Sequence, residues 1–251
     1  MISTIALLVG ILLPALGAAR KTAQRVQCAS RLRQVNLSML SYAEDYKGKF
    51  PPNTLRFVPG QGMVSGFWYD KDRIGQYLPG FEEAGTGSIG GGVLTCPADG
   101  EGVARTYAIN IHSGEGNDPD RYFTLESVKR TSRMLLFGES WAYQEDPNGS
   151  IFADSEIGGY PTPFRPATWF GLNGSVNPAK TGLRARFGNV KSMIRYNLHA
   201  DADNEAFEGS VNMTYIDGHV TNKSPGDLVD TATGKSTYDT LWSEIDEKVE
   251  Q

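Results

Sequence analysis

Catalytic vocabulary is scarce in this sequence. Its 251 residues include only three histidines (His112, His199 and His219) and two cysteines (Cys28 and Cys96). It contains no Gly-x-Ser-x-Gly, His-Glu-x-x-His, Cys-x-x-Cys or P-loop pattern. Serine hydrolase, zinc protease, thioredoxin-like and nucleotide-triphosphatase chemistry therefore have no motif to rest on. GTGSIG at 85–90 matches the dinucleotide fingerprint letter for letter. It follows GFEEA rather than a strand and leads into GGVLTCP rather than a helix, so it reads as a glycine-rich loop. Basic charge is also scarce over most of the chain. Residues 1–50 carry seven Lys/Arg against two Asp/Glu, a net +5, which leaves 17 against 27, a net −10, in residues 51–251. An acidic body argues against a nucleic-acid partner, since phosphate binding requires a basic surface. It suits divalent cations.

Breakers are missing from the first segment. Of 29 glycines and 13 prolines, only Gly10, Gly17 and Pro14 precede Gly48. Charge is missing there too: Met1 to Ala19 has none, and then Arg20, Lys21 and Arg25 come close together. A buried core helix would show polar residues at helical spacing, yet only Ser3 and Thr4 interrupt the run. A signal peptide could use Ile5–Leu13 as its apolar core and 15–17 or 17–19 as a small-residue cleavage site, but it lacks a basic n-region. A membrane stem of nineteen helical residues would span roughly 28 Å at ~1.5 Å each, about one hydrocarbon core. Pro14 would kink it, which membrane helices tolerate.

The next twenty residues favour the stem. Cys28, Leu32, Val35, Met39, Tyr42 and Tyr46 recur at alternating spacings of four and three, which is an amphipathic helix. Arg25, Arg31, Arg33, Asn36, Glu44 and Lys47 fall off that stripe. Gly48 ends the helix and Pro51-Pro52 forbid its resumption. Stem and amphipathic helix thus form one rod of about 45 residues, roughly 65–70 Å long. The expected organisation is an N-terminal helix over 1–50, with 1–19 as hydrophobic stem, and a globular α+β domain over 51–251.

The block ALLVGILLPALGAARKTAQRVQCASRLRQVNLSMLSYAEDYKGKFPP resembles the start of type IV pilin-like, or pseudopilin-like, proteins. These carry a prepilin-type N-terminal cleavage/methylation segment, and the nearest branch is the DUF1559 group of planctomycete type. VLTCPAD (93–99), TYAIN (106–110), the histidine of RYNLHAD (195–201) and VNMTYIDGHV (211–220) match its pattern in order. The resemblance implies a pilin-like α+β fold in which a long N-terminal helix packs on an antiparallel sheet with long glycine-rich loops. It implies a structural, non-enzymatic subunit of an envelope filament or type II secretion-like pseudopilus. Its partners would be like subunits through the N-terminal helix, the inner membrane and the assembly machinery. The body would lie in the periplasm or in an envelope filament. Two departures stand out. The basic leader and Gly-Phe-Thr-Leu-Ile-Glu-type processing site are not in the sequence, and the expectation is that the frame upstream of Met1 encodes them. The family's histidine precedes its Asp-Gly by nine residues, whereas seventeen separate His199 from Asp217; the motif residues carried over are His199, Asp217, Gly218 and His219.

In an exported domain Cys28 and Cys96 permit one intramolecular bridge, closing a loop of about 70 residues worth on the order of 3–4 kcal/mol. Cys28 reads equally as a small buried hydrophobe on the stripe. Candidate metal ligands are His199, Asp201, Asp203 and Glu205 in HADADNE, and Glu115, Asn117, Asp118 and Asp120 in EGNDPD. Alternating oxygen donors in glycine-rich loops suit Ca²⁺, as in related secretion pseudopilins, and a solvated acidic surface is the alternative. Asp217-Gly218 between alternating segments predicts a hairpin with a type I′ turn, both central residues at positive φ. Strands are expected near 93–96, 105–111, 133–138, 211–216 and 219–223. A C-terminal helix capped by Ser236 or Thr237 is expected to pack Leu241, Trp242, Ile245 and Val249. The rival function is an exported ligand- or Ca²⁺-binding domain released by a cleaved signal peptide.

Overall fold

The computed structural model describes residues 2–51, 56–58, 62–64, 68–78, 92–98, 103–110, 113, 124–139, 142–145, 151–153, 156–157, 210–230, 235–237 and 239–241. Its first element is a single helix, α1 (Ile2–Asp45), with Pro14 inside it. At ~1.5 Å per residue it is about 66 Å long. The amphipathic half docks on the body. Cys28, Leu32, Val35, Met39 and Tyr42 are buried, each apolar side chain contributing on the order of 1.5–3 kcal/mol. Two residues depart from the expected stripe. Tyr46 is exposed and stacks flat on Tyr42 at 4.1 Å between ring centroids. Asn36, expected on the polar face, is fully buried and donates from Nδ2 to the Tyr215 carbonyl at 2.8 Å. The buried amide is accommodated because the sheet offers it a carbonyl, which the apolar periodicity cannot reveal.

The helix stops at Asp45 rather than at Gly48. Lys47 (φ 58°) and Gly48 (φ 77°) both turn left-handed, and the Gly48 amide reaches back to the Ala43 carbonyl at 2.7 Å. That six-residue closure satisfies one of the carbonyls a helix end leaves open.

The strands are β1 (Arg56–Val58), β2 (Gly62–Val64), β3 (Val103–Arg105), β4 (Tyr107–Asn110), β5 (Leu135–Glu139), β6 (Ala142–Glu145), β7 (Ile151–Ala153), β8 (Glu156–Ile157), β9 (Val211–Tyr215), β10 (Val220–Lys223), β11 (Val229–Asp230) and β12 (Lys235–Ser236). The main sheet runs β10-β9-β5-β4-β8. Its first four strands are antiparallel, and β8 joins β4 in parallel. A smaller sheet runs β3-β7-β6, and β1–β2 and β11–β12 form ribbons. The architecture is α+β: one long N-terminal helix and a four-stranded antiparallel sheet that it covers. Every residue of β4, β5 and β9 is buried, so both faces of the sheet centre are covered. On the helix side Asn212 reaches the Arg25 carbonyl; from a position of opposite parity in the same strand, the Tyr215 hydroxyl meets Thr240 at 2.8 Å.

Three local expectations are corrected. Residues 92–94 form a 3-10 turn, not a strand; the chain turns left-handed at Gly92 (φ 48°), and Leu94 and Cys96 are both buried. The β9–β10 hairpin does not use a type I′ turn. Of its loop residues Ile216, Asp217 and Gly218, only Gly218 (φ 86°) is left-handed, and its amide closes on the Tyr215 carbonyl at 2.9 Å. That is the three-residue loop ending in an αL glycine, which holds Asp217 in an ordinary conformation. Finally, no helix starts at Ser236 or Thr237. Ser236 lies in β12, Thr237 donates to the Asp227 carbonyl, and Leu241 forms a parallel bridge with Met134. Trp242, Ile245 and Val249 lie outside the described residues, as does GTGSIG.

Candidate functional site

α1 has two halves with opposite surroundings. From Ser3 to Thr22 every residue is exposed, and the large apolar side chains from Ile5 to Leu16 are 45–67% exposed. Among the described residues this is the one helix long and apolar enough to cross a membrane, and no part of that window is buried by the body. It is compatible with a membrane anchor or a signal sequence. Burial begins only at Gln24 and becomes complete at Cys28.

The place where the rod leaves the body is built from polar side chains around a disulfide. Cys28 and Cys96 are joined, with Cα atoms 4.8 Å apart and a sequence separation of 68. Both sulfurs belong to fully buried residues. Around them Gln24 donates to the Pro97 carbonyl (3.2 Å), and Arg31 Nη1 donates to the carbonyls of Gly92 (2.9 Å) and Thr95 (2.7 Å). From the sheet, the Tyr107 hydroxyl donates to the Cys28 carbonyl (3.1 Å) and Asn212 Nδ2 lies 3.4 Å from the Arg25 carbonyl. Burial, and next the nearby Glu139 carboxylate, push the Tyr107 phenol well above its usual pKa, so it stays a donor at any physiological pH.

Glu139 is the buried acid of this region. Its carboxylate accepts from the Asn212 amide and from Asn212 Nδ2, both at 2.9 Å. Cys28, Cys96 and Glu139 bring their ligand atoms within 4.8 Å of one another. A soft cation would require thiolates, and here the two sulfurs are bonded to each other, so the trio acts as a structural knot rather than a metal centre. No sequence signal marked Glu139. A lone glutamate ending an apolar strand gives no hint that Asn212 will face it.

The hairpin tip carries the remaining motif residues. His219 Nδ1 lies 2.5 Å from Asp217 Oδ1, which also accepts the His219 amide at 3.1 Å. The imidazole stacks flat on Tyr215 at 4.4 Å, and Gly218 sits over Leu37 and Leu40 of α1. Asp217 and His219 are thereby spent on shaping the tip and seating it on the helix. His199, Asp201, Asp203, Glu205, Glu115, Asp118 and Asp120 lie outside the described residues. Comparisons of this chain with protein-family models, with curated proteins and with solved structures give no match.

Proposed function

We propose that the protein is a non-enzymatic, pilin-like structural subunit, held in the inner membrane by residues 2–19 of α1 before it assembles with like subunits. The observation that carries this reading is the division of one unbroken 44-residue helix into an exposed apolar half and a half docked on an antiparallel sheet. A soluble domain gains nothing from leaving that much apolar surface in water, whereas a bilayer or a bundle of identical stems removes it. Arg20, Lys21 and Arg25 flank the stem on the body side, which by itself favours a cytoplasmic body. The disulfide favours the opposite side, because thiols are kept reduced in the cytosol. We give the disulfide more weight, and place the body in the periplasm. Assembly machinery and neighbouring stems would then be its partners.

Membrane fractionation with N-terminal sequencing tests the reading. The anchored subunit should pellet with membranes, resist carbonate and dissolve in detergent, and protease should reach its body only after the outer membrane is opened. Soluble protein starting near Ala18 would replace it with the exported-domain reading. In that case Ca²⁺ would be expected to raise the melting temperature, by about 2.7 kcal/mol of stabilisation at a hundredfold excess over Kd. Paired Asp201→Ala/Asp203→Ala or Asp118→Ala/Asp120→Ala variants would locate the ion.

A further inference from the structure

The contacts around residues 24–31 are concentrated where α1 leaves the body. From Ser3 up to Gln24 the helix is exposed, and immediately downstream come a disulfide and the hydrogen bonds of Gln24, Arg31, Tyr107 and Asn212. The rest of the docked helix is held by side-chain packing and by the single hydrogen bonds of Asn36, Ser38, Tyr42 and Asp45 to the body. Non-covalent contacts of this kind separate residue by residue when one end is pulled, since each is worth little alone. A covalent bond at the first contact prevents that.

We propose that the Cys28–Cys96 bridge and its polar collar form a clasp that carries tension from the stem into the body, so that a pull on residues 2–23 cannot peel the docked half of α1 from the sheet. The path runs from Cys28 across to Cys96. There the Cys96 amide is held by the Thr106 hydroxyl (2.9 Å), and the Thr106 amide by the Leu94 carbonyl (3.0 Å). Thr106 sits between β3 and β4, so tension enters the sheet along its strands instead of at the edge of the helix. The clasp rests on the anchor reading only for the origin of the pull; the mechanical property can be measured without a membrane.

The test is single-molecule pulling on the full chain in detergent, with handles on both termini, comparing the wild type with Cys28→Ser/Cys96→Ser. The wild type should open in one body-sized event. Its final length should fall short of the variant's by the 68 chain steps that the bridge spans, about 245 Å at ~3.6 Å each. The variant should show an earlier step, at clearly lower force, that releases residues 28–45 and leaves the sheet intact. A first event at the same force in both proteins would overturn the proposal. So would a variant with no force-resisting body at all, because the bridge would then be a condition of folding and not a joint within the fold. Absence of the length difference would mean that the bridge does not form, and would overturn it as well. None of these outcomes bears on whether residues 2–19 enter a bilayer, which fractionation decides separately.

Discussion

Asn36 shows how much one polar side chain can settle. Its Nδ2 serves the Tyr215 carbonyl, which also accepts the Gly218 amide, while its Oδ1 is buried without a partner among the described residues. Asn36→Ala should therefore cost on the order of 1–2 kcal/mol, combining a lost hydrogen bond with a small cavity. Asn36→Leu should cost less, because it refills the space and also removes the orphaned oxygen; urea midpoints of the two variants compare them directly. Tyr215 makes a pH prediction. Burial raises its phenol to about 12, against a lowering contribution from its hydrogen bond with Thr240. The unfolded phenol ionises near 10, so the unfolded state loses its proton first. The stabilisation is then complete below about pH 10 and drains away as pH rises toward 12, on the order of 2–3 kcal/mol in all. Tyr215→Phe should flatten that decline in urea midpoints measured from about pH 9 to 11. Periodicity placed Leu32, Val35 and Met39 in the core, since their spacing alone defines a face. It could not place Asn36 or Glu139, whose burial depends on groups supplied by β9, far away in sequence.

Among the elements, the helix end offers a paired test. Gly48 has open space for a methyl group, with Leu125 and Glu126 atoms 3.7–3.8 Å from where a Cβ would sit. The cost of Gly48→Ala is therefore backbone strain alone, about 1–2 kcal/mol. Lys47→Gly relieves the same kind of strain one residue earlier and should stabilise by about 1 kcal/mol. Opposite shifts in thermal midpoint would establish that this two-residue left-handed turn, and not packing, sets the boundary. The element types were readable where a local signal existed. The helix showed a continuous stripe without breakers, and the hairpin showed Asp-Gly between alternating residues. The turn type was not readable, because a two-residue and a three-residue loop can present the same Asp-Gly. The stretch 93–96 looked like a strand because it is short and apolar; length could not separate a strand from a curled turn that buries Leu94 and Cys96.

For the molecule as a whole, the two-part helix predicts that a chain beginning at Arg25 will be soluble and folded. Among the described residues it forfeits the Gln24–Pro97 hydrogen bond and no fully buried side chain. Its far-ultraviolet circular dichroism should retain the sheet signal, with a melting temperature within a few degrees of the full chain. An unfolded product would mean that the stem supports the body. The α+β class was legible because the helix signal stops at Gly48 and turn residues begin there, whereas the sheet order was not, since β5 pairs with β9 across a long stretch of chain. The Asn36–Tyr215 contact joins residues 179 apart, and that separation has a consequence in time. At roughly 5–20 residues per second, a ribosome that has finished Asn36 needs about 9–36 s more to deliver Tyr215. Throughout that interval the stripe from Leu32 to Tyr42 lacks β9, a strand on which the helix packs, while the apolar segment ahead of it is made first of all. The nascent chain therefore carries an apolar segment and an incompletely covered stripe together before the sheet is finished. Early capture of the first segment, by a targeting factor or a bilayer, would remove one of those two surfaces from solution, a benefit open only to an apolar segment that is made first.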